Sequence, residues 1–203
     1  MSGTFPATPV AASVAIGSIQ PTLLSVAQSL KRSVRSRGGQ RWVITARWAP
    51  ALRATFAPIF AFVLAQDGQF GTFSYVLPTW STPQGSWPTS TVIEVDGASQ
   101  TGTTLNIKTL TPSQSNIAKA GDFFKVAGHS KVYMVTANAN SDGAGKAALS
   151  IKPKLVTSPA DGEDLTISGV AFTLALASDE IELPLRSPSA MAAGFELKMV
   201  EVY

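Results

Sequence analysis

The lone histidine, His129, stands between Gly128 and Ser130, and to hold a metal or relay a proton it would need carboxylates converging from elsewhere in the chain. A surface turn residue is the simpler reading. Asp161, Glu163 and Asp164 in the run SPADGEDL carry the oxygen ligands that calcium takes. They lack the D-x-[DN]-x-[DN]-G-x5-E spacing of an EF-hand loop, so a solvated turn is expected. Asp179, Glu180 and Glu182 are the residue types of a glycoside-hydrolysing carboxylate pair. The first two are adjacent, the third alternates with Ile181 and Leu183, and no aromatic cleft accompanies them, so they read as strand-edge charge. The glycine run Ser141–Lys146 has a superficial likeness to a phosphate cradle. A P-loop needs four residues between its first glycine and Gly-Lys, then Ser or Thr; here Ala147 follows Lys146. No catalytic, metal or cofactor-binding residue is assigned, and the chain reads as a non-enzyme.

Aromatic side chains offer a different chemistry. Phe73, Tyr75, Trp80, Trp87 and Tyr133 have flat faces that suit either stacking on sugars or packing between domains and subunits. The sequence leaves both uses open for Trp80, Trp87 and Tyr133.

The elements that would position these groups are set by composition and pattern. A chain of 203 residues is long enough for one domain, or one domain carrying a smaller insertion. Apolar residues make up 45% of it and charged residues only 14%, below the usual quarter. Low charge suits a subunit that hides apolar surface against its neighbours. With no cysteine, disulfides and thiolate chemistry are excluded, and stability must come from packing. The N-terminus lacks the pattern of a secretory signal and reads as mature protein. The longest apolar run, Ala54–Ala65, contains Pro58 and falls short of the ~20 residues that span a bilayer, so no membrane insertion is expected.

Charge is unevenly distributed. Lys31, Arg32, Arg35, Arg37, Arg41, Arg47 and Arg53 all precede the first acidic residue, Asp67, leaving nine basic against thirteen acidic side chains from Asp67 onward within an overall +3. Such polarity suits nucleic acid or a head-to-tail contact in which one subunit's basic region meets the next subunit's acidic one. Aromatic residues interleave too sparsely with the basic ones for a single-strand binder, and no nucleic-acid sequence recognition is expected. The candidate contact residues are Arg35, Arg37, Arg41 and Arg47 on one side and Asp179, Glu180 and Glu182 on the other.

Residues 1–40 read as an extended arm followed by a basic segment, with Pro6, Pro9 and Pro21 disfavouring a central strand. Gln40–Trp48 alternates like a strand. Leu52, Phe56, Ile59, Phe60 and Val63 form one stripe at helical spacing, which predicts a helix over about 50–66 with Pro50 in its first turn and a kink at Pro58. Asp67-Gly68 closes it, and Gln69–Pro78 reads as a returning strand. The Pro- and Trp-bearing stretch to Pro88 marks an irregular boundary. Short strands then follow at regular spacing, among them Val92–Val95, Thr104–Ile107 and the three in Asn116–Leu155. In these, Phe124 and Val126, Val132, Met134 and Val135 with Tyr133 opposite, and Leu149 and Ile151 show the period-two pattern of half-buried strands. Residues 88–170 are thus expected as an inserted small β-sandwich or β-barrel, with residues 41–87 and 171–203 making a β-sandwich core that includes the helix. In the final strand Phe195, Leu197, Met199 and Glu201 share a face. The class is mainly β with one helix.

This order of elements, with LAQDGQFGTFSYVLP after the helix, KAGDFFKVAGHSKVYMVTANANSDGAGKAALSIKPKL in the insertion and FELKMVEVY at the end, resembles distal tail proteins and related minor tail or baseplate proteins of long-tailed bacteriophages. The resemblance covers most of the chain. It implies a virion protein assembled in the host cytoplasm, whose β-sandwich forms a ring, commonly a homo-hexamer, between the tail tube protein and the tail-tip hub proteins. The alternatives are a carbohydrate-binding module that contacts host-surface glycans, or another minor tail or tail terminator subunit.

Overall fold

The structure, a computed structural model, describes residues 3–186, 191–192 and 194–203, and within them it is mainly β with one helix. The chain divides into two compact units, Met1–Ser74 with Leu174–Val202, and Tyr75–Thr173 with Tyr203.

The first unit begins with β1 (Ser13–Ile19), which pairs antiparallel with β4 (Arg41–Trp48) over its full length. Between them, β2 (Thr22–Val26) and β3 (Arg32–Ser36) form a separate two-stranded hairpin. A two-residue strand, β5 (Ala51–Leu52), precedes α1 (Arg53–Leu64). The helix therefore starts three residues later than the sequence predicts. Ala51 and Leu52 are held extended by antiparallel pairing to Met191 and Ala192, which leaves Leu52 as the N-cap, with no side-chain cap bond. Phe56, Ile59 and Val63 of the predicted stripe are buried, whereas Leu52 at the strand end is 61% exposed. Pro58 lies within the helix, where it removes one backbone donor.

After the helix, the Gly71 N–H donates to the Gln66 carbonyl at 2.8 Å. A Cβ on Gly71 would lie 2.6 Å from that same oxygen, so only glycine allows the close approach. This turn occupies the start of the expected returning strand, confines β6 to Phe73–Val76 and leaves Phe70 88% exposed.

The second unit is a closed barrel of β7 (Ile93–Val95), β8 (Thr104–Lys108), β9 (Phe123–Val126), β10 (Val132–Val135), β11 (Ala147–Lys152) and β12 (Asp164–Thr166), in the order β10-β11-β8-β7-β12-β9. Closure removes the free edges that short strands would otherwise expose. Ile93, Val95, Leu105, Ile107, Phe124, Val126, Tyr133, Val135, Leu149 and Ile151 fill its core, with Trp87, Leu110, Ile117 and Leu155 packed among them. On β10 both faces are largely covered: Val132, Tyr133 and Val135 are fully buried and Met134 is half-buried. Tyr133 stacks on Phe124 with centroids 5.6 Å apart, and its hydroxyl accepts the Val156 N–H at 3.1 Å. A tyrosine can enter a core where its oxygen finds such a partner.

The chain then returns to the first unit through β13 (Ala171–Leu176), β14 (Leu185–Arg186), β15 (Met191–Ala192) and β16 (Phe195–Glu201). The main sheet has the order β1-β4-β16-β13-β6, and a small sheet has the order β14-β15-β5. On β16, Phe195, Leu197, Met199 and Glu201 are all buried, as the alternation predicts. Beneath this sheet lies an aromatic cluster. Phe5 packs against Trp48, Phe62 and Phe73 at 5.8, 5.4 and 5.7 Å, and Phe195 against Trp48 and Phe56 at 5.8 and 5.1 Å. The segment read as an arm is thus split three ways: Phe5 joins the unit's own core, Ser13–Ile19 joins its sheet, and the β2–β3 hairpin is exposed throughout.

Candidate functional site

The β2–β3 hairpin is the chain's most unusual surface. Every residue of both strands is exposed. Its register places Leu24 opposite Val34 and Val26 opposite Arg32 on one face, with Leu23 opposite Arg35 and Ser25 opposite Ser33 on the other. Directly opposed residues share a face, so Leu24, Val26 and Val34 make one apolar patch, each between 45% and 57% exposed. Around it stand Lys31, Arg32, Arg35 and Arg37, with no acidic residue in the hairpin. Such a surface costs free energy in water and matches an acidic, partly apolar partner.

The expected contact residues differ in how committed they are. Arg35, Arg37 and Arg41 are exposed. Arg47 is engaged within its own chain: its Nε donates to Glu196 on the neighbouring strand at 2.9 Å, and that hydrogen bond, with the carboxylate charge, raises its pKa. Asp179 accepts the Gln69 N–H at 2.9 Å and lies against Gly68, where a Cβ would come 2.6 Å from the carboxylate. It fastens the turn after α1. Glu180 and Glu182 remain exposed and line a groove of about 830 Å³ in the first unit, bordered by Trp48, Ile181, Phe195 and Lys198.

The aromatic candidates separate as well. Tyr133 and Trp87 lie in the barrel core, out of reach of any glycan, because the closing barrel needed their apolar area. Trp80 is 59% exposed and is the one of the three that presents a face to solvent. Trp87 also donates its indole N–H to Asp122 at 2.8 Å. Asp122 is buried and further accepts the backbone N–H groups of Gln84, Gly85 and Lys119 at 2.7, 3.0 and 3.0 Å. This carboxylate pins the loop before the barrel. Its donors lie up to 38 residues away in the sequence.

The remaining polar candidates are structural. His129 approaches Glu163 at 3.4 Å. Asp161 accepts from Lys108 and from the Gly97 N–H, both at 2.8 Å. Asp142 accepts the N–H groups of Ala144 and Lys146 at 2.8 Å, closing the glycine turn on itself. Among the described residues no three His, Asp or Glu groups converge as a metal site would require, and no helix is long and apolar enough to cross a membrane.

The Lys108 hydrogen bond, followed by that from Gly97, holds the Asp161 pKa below the usual carboxylate range. A depressed folded-state pKa gives stability that is present above the unfolded value and lost as pH falls through the folded one. Barrel stability should therefore decline as pH drops below about 4. Asp161→Asn should flatten part of that acid limb in melting curves recorded across pH; an unchanged acid slope would remove Asp161 as its source.

One unit is thus a closed barrel, and the other is built on a five-stranded sheet and carries an exposed basic hairpin. Residues 81–170 match the family described as Distal tail protein pb9, B domain. The chain therefore carries, in its second unit, a stretch similar to a distal tail protein domain. The match spans the barrel and a little under half of the chain. No curated protein matches the chain.

Proposed function

We propose that this protein is a non-enzymatic subunit of a phage virion tail that forms the distal tail ring, a homo-oligomer of about six copies by analogy with the family, between the tail tube protein and the tail-tip hub proteins. The barrel's match to a distal tail protein B domain carries this reading. The uncovered hairpin supports it, since a wholly exposed strand pair with an apolar face has a purpose once a neighbour covers it.

The charges give the contact a direction. Arg35, Arg37 and Arg41 of one copy face Glu180 and Glu182 of the next, with Asp179 beside them. Different surfaces meet, so the interface is heterologous, and rotation per subunit sets whether a ring closes and at what order. Light scattering coupled to size exclusion should give a closed oligomer at low salt, weakened as salt screens the exposed charges. Arg35→Glu with Arg37→Glu should shift the protein toward monomer. Monomer at every salt and concentration would overturn the ring; intact rings from the double variant would remove only the charge pairing. Host-glycan binding has a narrower basis, the exposed face of Trp80.

A further inference from the structure

Among the described residues, the main sheet has an opening in its middle. β16 pairs with β4 from Phe195 to Val200, but on its other side β13 pairs with it only from Met199 to Glu201. The last bond on that side runs from the Ala177 N–H to the Lys198 carbonyl at 3.0 Å. Chain N-terminal to that bond, Gly194–Leu197, has no backbone partner on this side among the described residues. Residues between Ala177 and Pro184, Glu180 and Glu182 among them, line a groove together with Gly194–Lys198 of this edge. An unpaired strand edge lining a groove is an acceptor for an added strand, where main-chain hydrogen bonds supply affinity and side-chain pockets supply specificity.

A donor of matching character exists in the same chain. β3 has the sequence RSVRS, is exposed throughout, and pairs on one side only, with β2. Its Arg32 and Arg35 complement the groove, where Arg47 and Glu196 neutralise each other at 2.9 Å and Glu180 and Glu182 outnumber Lys198. Val34 can meet the apolar wall formed by Ile181 and Trp48.

Within one copy, donor and acceptor are at opposite ends of the sheet. The hairpin leads into β4 at Arg41, whereas the groove adjoins Trp48, which pairs with Phe195. The seven residues of rise between Arg41 and Trp48 amount to roughly 23 Å. That separation favours a neighbour's hairpin over the chain's own and makes the contact head-to-tail.

We infer that β3 of one copy adds as a strand to the open edge of β16 at Gly194–Leu197 of the next copy, in the groove walled by Glu180 and Glu182. The inference rests on the ring reading and specifies its contact.

Because the chain has no cysteine, any disulfide cross-link reports a designed pair. Full-length Ser33→Cys protein is mixed with mass-tagged full-length Ser178→Cys, Glu182→Cys or Glu196→Cys protein and oxidised, with Thr157→Cys on the second unit as control. Light scattering on the unmodified protein is run in parallel. A heterodimer band with at least one groove partner, at several times the yield of the control, is the expected result. An oligomer by light scattering with every groove pair at control yield would overturn the strand addition and leave the ring standing. Monomer throughout, with no cross-link, would overturn both.

Discussion

Asp122→Ala should destabilise the barrel by about 3–4 kcal/mol, since a buried donor left without its acceptor costs about 1–3 kcal/mol and Asp122 serves four of them. Three bonds come from backbone groups of Gln84, Gly85 and Lys119, which no side-chain change can relieve. For a chain of this length the loss corresponds to a fall in Tm of about 10 °C for the barrel transition. Asp122→Asn should fall between, because its amide nitrogen cannot accept where a carboxylate oxygen did. The loop leaves little slack for repair: a Cβ on Gly85 would meet the Ile117 carbonyl and come 2.8 Å from the Ala118 Cα. Thermal melts followed by the fluorescence of Trp87, whose indole is bound to Asp122, would read the effect. A variant melting within 2 °C of the parent, on the order of 0.5 kcal/mol, would show that water substitutes for the carboxylate.

Phe5→Ala should cost the first unit about 3–5 kcal/mol, the usual range for deleting a buried phenylalanine, and should do so in dilute protein where no assembly forms. The ring lies among Trp48, Phe62 and Phe73 within 5.8 Å and is 5% exposed, so its loss leaves a cavity bounded by rigid aromatic neighbours. Chemical denaturation at low and high protein concentration separates two outcomes. A loss independent of concentration places Phe5 in its own core. A loss seen only where the protein associates would place it at a neighbour, as the arm reading expected.

Much of the fold was legible because its cause is local. Alternation along Phe195–Glu201 and Leu149–Ile151 marks strands whatever they pair with, and Phe56, Ile59 and Val63 recur at helical spacing. The β2–β3 hairpin was harder to see. Its residues alternate too weakly to show a buried face, and a sequence read as arm and basic segment contains no statement of what leaves it uncovered. The candidate site was legible in its charges and not in their commitments. Arg47 and Asp179 looked as available as Arg35 and Glu180 until Glu196 and Gln69 were brought beside them by strand register and by the turn after α1.

By itself the sequence determined a cysteine-free, mainly β chain with one helix, a basic front and an acidic remainder, and an inserted run of short strands. Composition, charge order and periodicity are properties of neighbours along the chain. The tertiary structure alone decided that the inserted strands close into a barrel, that Tyr133 and not Met134 faces its core, and that Phe5 belongs to the sheet it precedes. It also decided that Asp122 gathers donors as far as 38 residues away. Period two defines two faces without saying which is inside. That choice is made by what packs across the sheet, and by which buried polar atoms find partners there.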